Sequence, residues 1–196
     1  MKKIETIWRE LLFGAIEKGK RQFTQKEIAK KFGFSTSTVF QALKVPRKMG
    51  AVRVTGRYFV LEDPEKLLYH WASVRNLERD VFFRTSVALP VLEIESQMPP
   101  RIVFGAFSAG RQILGEPPAD YDKVYVYGGD LVEIKKRFPL QKGRPNLFFL
   151  KADKFLAQYG QITTLAQTFV DLWNLPEWYA KEFVKAIKEK IDELLS

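Results

Sequence analysis

The chain has 196 residues, 46% hydrophobic and 14% aromatic, room for two small domains or for one with an appendage. It contains no cysteine, which excludes disulfides and thiolate metal sites and predicts a reducing, cytoplasmic setting. No apolar run reaches the length of a membrane span, since the best candidate, residues 81–94, is cut by Arg84 and Pro90; the first residues show no signal-peptide pattern.

The net charge of +9 is unevenly placed. Residues 1–62 hold 14 Lys/Arg and 5 Asp/Glu, so the totals of 32 and 23 leave 18 of each for residues 63–196. All the surplus therefore lies at one end, whereas solubilising lysine would be spread along the chain. A basic segment beside a neutral one suits a polyanion partner for the first alone.

Ile4, Ile7, Trp8, Leu11, Leu12, Ala15 and Ile16 recur at i, i+3, i+4 and predict an amphipathic first helix. Thr24 with Glu27 three residues on is a capping-box pair, opening a second helix that buries Ile28, Ala29 and Phe32 and stops at Gly33. Ser35 restarts the chain as an N-cap, and Val39, Phe40, Ala42 and Leu43 read as the buried side of a third helix. Two short runs about Thr55-Gly56-Arg57 then predict a hairpin with a basic tip. This order resembles a winged helix-turn-helix. Thr36, Ser37, Thr38 and Gln41 are the candidate base readers, and Lys44, Arg47, Lys48, Arg53 and Arg57 the candidate phosphate contacts of a double-stranded DNA site. Read blandly, the same face is a solvated basic surface of a protein-interaction module.

Asp63 and Pro64 predict the cap and first residue of a connecting helix carrying Leu67, Leu68, Trp71, Ala72 and Val74. Residues 80–85 are apolar without a clear period, and residues 86–97 suit a helix with Pro90 in its first turn. Further on, strands are predicted at 101–104, 123–127 and 146–150, with helices at 106–114 and 131–138 between them. Helices at 164–173 and 176–195 close the chain, the last with a stripe of Tyr179, Phe183, Ile187, Ile191 and Leu194. The expected fold class is α+β/α/β in two domains: a winged helix-turn-helix over 1–62, a connecting helix and linker over 63–85, and over 86–196 a small sheet with packed helices.

Asp120 and Asp122, one residue apart at the start of a strand, are the one paired-carboxylate signal. With Gly105-Ala106 ahead of them they resemble the core motif of nucleotidyltransferases, in which glycine-serine precedes Asp-x-Asp and the acids hold Mg²⁺. Here alanine stands in the serine position, the strand at 146–150 has no acid at its centre, Asp153 lies beyond it, and Lys123 adjoins Asp122. Two acids capping a strand is the better reading, and no catalytic residue, metal or cofactor is predicted. His70, the only histidine, has no second ligand to make a metal site.

The layout as a whole is similar to the AbiEi-type antitoxin/transcriptional-regulator family. The helix-turn-helix, residues 102–127 (IVFGAFSAGRQILGEPPADYDKVYVY), the strand at 146–150 and residues 162–187 around Val170-Asp171-Leu172 carry the resemblance. It implies DNA binding at the protein's own promoter and antagonism of a nucleotidyltransferase toxin by the second domain. A homodimer is expected, with Tyr69, Trp71, Trp178 and the C-terminal stripe as its contact.

Overall fold

The computed structural model describes all of residues 1–196 as a mixed α/β fold with nine α-helices and two small sheets. Its first helix, α1 (Lys3–Glu17), is buried on more than its apolar side. Ile7, Leu11 and Leu12 are fully enclosed, as expected, and Glu5, Thr6, Arg9 and Glu10 are buried as well. The polar side of this helix faces other parts of the chain rather than water.

Around α1 lie α2 (Gln25–Phe32), α3 (Thr36–Lys48) and a three-stranded antiparallel sheet. The hairpin strands are β2 (Val52–Val54) and β3 (Phe59–Leu61), with β1 (Gln22–Phe23) added outside β3. Two residues are too short for any period, so β1 left no mark in the sequence. Asp63 accepts from the Lys66 N–H at 2.9 Å and opens α4 (Pro64–Val74), whose Leu67, Leu68 and Trp71 are fully buried.

The second sheet has the order β4-β7-β6-β5, formed by β4 (Val81–Thr85), β5 (Val103–Gly105), β6 (Val124–Tyr127) and β7 (Leu147–Leu150). The central pair is parallel and both outer pairs are antiparallel. The stretch at 81–85 thus resolves as an edge strand. Of the helix expected over 86–97, only α5 (Val91–Ser96) forms, because Pro90 stands at its cap with extended backbone. Helices α6 (Ala106–Leu114), α7 (Leu131–Arg137), α8 (Leu165–Trp173) and α9 (Ala180–Leu195) complete the chain, α9 starting four residues later than its pattern suggests.

Alternation along β6 and β7 feeds two cores. Val124, Val126, Leu147 and Phe149 face a smaller one with Ile94, Ile134 and Phe138. Tyr125, Tyr127, Phe148 and Leu150 belong to a larger one that runs continuously from Ile7 and Leu43 through Trp71 to Phe169, Phe183 and Ile191. Packing does not divide at residue 62, and residues 63–85 supply core side chains and a sheet strand rather than an exposed link.

Polar contacts bind the same junction. Arg75, 2% exposed at its side chain, donates through Nη1 to Asp80 at 2.6 Å and Glu5 at 3.3 Å, and through Nε to Asp171 at 3.4 Å. Its Nη2 donates to the Tyr127 hydroxyl at 3.1 Å, which donates in turn to Asp171 at 2.6 Å. Trp71 Nε1 donates to Glu5 at 3.2 Å, and the Met1 amino group lies 3.1 Å from Asp80. Burial works against the Arg75 charge, but Tyr127 and the carboxylates of Asp171, Asp80 and Glu5 outweigh it and hold the guanidinium pKa above its ordinary value. Burial pushes the Asp171 carboxyl up, with Arg75 opposing. Nearby, the fully buried Arg9 forks onto Asp153 with two bonds of 2.8 Å and reaches Gln167 at 3.1 Å.

Removing Arg75 strands three buried or half-buried carboxylates. Arg75→Ala should cost about 3–5 kcal/mol of unfolding free energy in urea titrations at neutral pH. Arg84→Ala, which breaks an exposed pair with Glu78, should cost less than about 1 kcal/mol in the same assay.

Candidate nucleic-acid interface

The α2–turn–α3 unit is set by local chemistry. Thr24 Oγ1 accepts from the Glu27 N–H at 3.0 Å, while the Glu27 carboxylate takes the Thr24 hydroxyl at 3.2 Å and Lys20 at 2.7 Å. Gly33 ends α2 with φ 62°, a left-handed backbone that costs glycine little. Ser35 Oγ then accepts from the Thr38 N–H at 3.1 Å and opens α3. Val39, Ala42 and Leu43 are fully enclosed against α1 and α2.

Pro46 lies inside α3, where a proline has no N–H to give the carbonyl four residues back. That carbonyl belongs to Ala42, and the indole Nε1 of Trp8 donates to it at 2.8 Å. A side chain of α1 thus takes the place of a missing backbone donor. The Trp8 ring also meets His70 edge-on at 5.0 Å, and burial lowers the His70 pKa.

Thr36, Ser37, Gln41, Lys44, Arg47 and Lys48 all lie on the exposed side of α3. Thr38 is half-buried and its hydroxyl bonds to Ser35 at 2.9 Å, so it serves the cap rather than the open face. Phe40, expected in the core, is 44% exposed instead. The buried stripe runs through Val39, Ala42, Leu43 and Pro46, and Phe40 falls on the opposite flank with Thr36 and Arg47.

On the hairpin, Arg53 is matched by Glu62 at 2.5 Å, whereas Arg57 stands exposed at the tip without a carboxylate. The turn is closed by the Thr55 hydroxyl donating to the Tyr58 carbonyl at 2.7 Å. Between the tip and the N-terminal ends of α2 and α3 lies an open hollow of about 290 Å³, lined by Thr24, Lys26, Thr36, Arg57 and Tyr58 among others. Lys26, exposed and without an ion pair, joins the cationic face although the linear pattern did not single it out. A second hollow, about 360 Å³, is formed by Phe40, Lys44, Arg47 and Lys48 alone. Five cations without carboxylate partners and two helix N-termini thus border one face, a geometry suited to an extended polyanion.

The second candidate site is not brought together. Asp120 and Asp122 lie in irregular chain ahead of β6, with Asp122 accepting from the Tyr179 hydroxyl. Lys123 turns away from Asp122 and pairs with Glu177, and Asp153 is taken by Arg9. No group of three or more His, Asp or Glu side chains is placed to hold a metal ion. Ala106 starts α6 in the left-handed region at φ 45°, just after Gly105, where a Cβ would fall 2.9 Å from the Tyr127 ring. The expected dimer contact changes as well. Trp71 and the stripe residues Tyr179, Phe183, Ile187 and Ile191 lie in the core, whereas Tyr69, Trp173 and Trp178 are exposed, Tyr69 meeting Trp173 edge-on.

The chain matches no protein-family model, no curated protein and no solved structure.

The Trp8 bond can be isolated by a double-mutant cycle. Trp8→Phe should cost about 1–3 kcal/mol in urea unfolding, since it leaves a buried carbonyl without a donor. In a Pro46→Ala background, where the helix can supply that donor itself, the same substitution should cost measurably less; equal costs in both backgrounds would refute the replacement.

Proposed function

We propose that this protein is a winged helix-turn-helix regulator of transcription that binds double-stranded DNA, with α3 as the recognition helix and the β2–β3 hairpin as the wing. The observation that carries the reading is the set of cations without carboxylate partners, Lys26, Lys44, Arg47, Lys48 and Arg57, on the face that α3 shares with the hairpin tip. Phosphate contacts supply most of the affinity, and Thr36, Ser37 and Gln41 lie on the exposed face of α3 to reach base edges. Repression follows from occupying a promoter. In line with the AbiEi-type resemblance, the reading extends to an autoregulating antitoxin whose C-terminal half meets a nucleotidyltransferase toxin; co-purification with such an enzyme tests that arm.

Titration of a fluorescent duplex across a salt series tests the central claim. Five phosphate contacts give a slope of log K against log salt of about −4 to −5. Binding that is absent at low salt, or indifferent to salt, rules the reading out. Lys44→Ala and Arg57→Ala should weaken binding to all sequences and each flatten the slope by about 1, whereas Gln41→Ala should relax discrimination by about 1–3 kcal/mol. Glu62→Gln should act oppositely, freeing Arg53 and tightening binding with a steeper slope.

The reading includes a homodimer spanning two half-sites, joined through the exposed aromatics Tyr69, Trp173 and Trp178. Light scattering should give twice the chain mass, falling to one chain for Trp178→Lys. A monomeric wild type at micromolar concentration removes this part.

A further inference from the structure

The sequence holds 16 phenylalanines, and Phe40 is the single one left exposed. It lies at mid-length on the recognition helix, with Thr36 one turn before it and Lys44 one turn after, and it borders the hollow formed with Lys44, Arg47 and Lys48. A bare phenyl ring is costly in water, and this chain buries or half-buries every other one. Nothing in the packing of α3 requires it there, because the inward stripe is filled by Val39, Ala42, Leu43 and Pro46. Its neighbours cannot be reading apolar surface: they are cations without partners. A ligand that engages all four side chains must therefore present anionic groups beside an apolar one, on the side toward the C-terminal end of α3.

A DNA major groove has that composition. Phosphates line its walls, and the one apolar group on its floor is the C5-methyl of thymine. Resting on the DNA-binding reading above, we propose that Phe40 is a specificity-determining residue that packs on a thymine methyl group while Lys44, Arg47 and Lys48 hold the flanking phosphates. Gln41, the next residue on the helix, then reads an adjacent base by hydrogen bonding. The preference expected for the site is a thymine opposite the middle of α3.

The test uses the full chain and a duplex enriched by it from a random pool. Each thymine in the enriched site is replaced singly by deoxyuridine, which deletes the methyl and keeps every hydrogen bond. At one or two neighbouring positions the wild type should bind about fourfold more weakly, the equivalent of one buried carbon. Phe40→Ala should bind the thymine duplex more weakly by a similar factor and be indifferent to the same replacement, while Phe40→Leu keeps part of the dependence. The proposal is overturned if the enriched site holds no thymine, if the wild type ignores every replacement, or if Phe40→Ala retains the methyl dependence. Failure of the wild type to bind any duplex would instead overturn the DNA-binding reading itself.

Discussion

The fold depends on a guanidinium held out of water. Arg75 follows α4 and gathers Glu5 from α1, Asp80 from the turn before β4, Tyr127 from β6 and Asp171 from α8. Burying such a set costs desolvation energy that only complete pairing recovers, and here every Arg75 nitrogen has an acceptor. Arg9 repeats part of the device one turn further along α1, forking onto Asp153 and reaching Gln167 while its Nε has no acceptor. An apolar seam could slide with small loss. A fork of directed bonds fits one placement, so the basic end of the chain is held at a fixed position on the sheet and helices behind it.

Pairing also differs between the two ends of the chain. In the later half, Lys123 meets Glu177, Arg111 meets Glu95, and Lys188 meets Glu65 and Asp192. Acids and bases are equal in number there, and ten of its eighteen Lys/Arg lie in ion pairs, against four of the fourteen in residues 1–62. On the α3 face Lys44, Arg47 and Lys48 have no acid within reach, so their potential projects outward. What distinguishes the two halves is how charge is arranged as much as how much of it each carries.

What could be read from the chain followed the range of the interaction. Caps are made by residues three or four apart, and Thr24, Gly33, Ser35 and Asp63 with Pro64 appear where their spacing puts them. The exposed polar face of α3 was legible for the same reason. Long-range pairing was not. Glu5, Arg9 and Glu10 look like the solvated side of an amphipathic helix, yet their partners include Arg75, Asp153 and Tyr159. That α1 is enclosed on both sides, and that the two expected domains share a core, could not be seen without those partners. Phe40 fails differently: hydrophobicity assigned it inward although its helical phase, between Thr36 and Lys44, points out. Whether a cation is free is likewise a tertiary fact, decided for Arg53 by Glu62 at 2.5 Å.

Pro46 has an effect beyond its own turn. A regular helix satisfies its carbonyls internally and can be rotated about its axis with no change in those bonds. With Ala42 obliged to take its donor from Trp8, α3 carries one carbonyl that has a required direction in the frame of the molecule. Turning the helix by a single residue, about 100°, would break that bond and replace the outward set with a different one. An apparent flaw in the helix therefore works as a key, fixing which of its side chains can ever face a ligand.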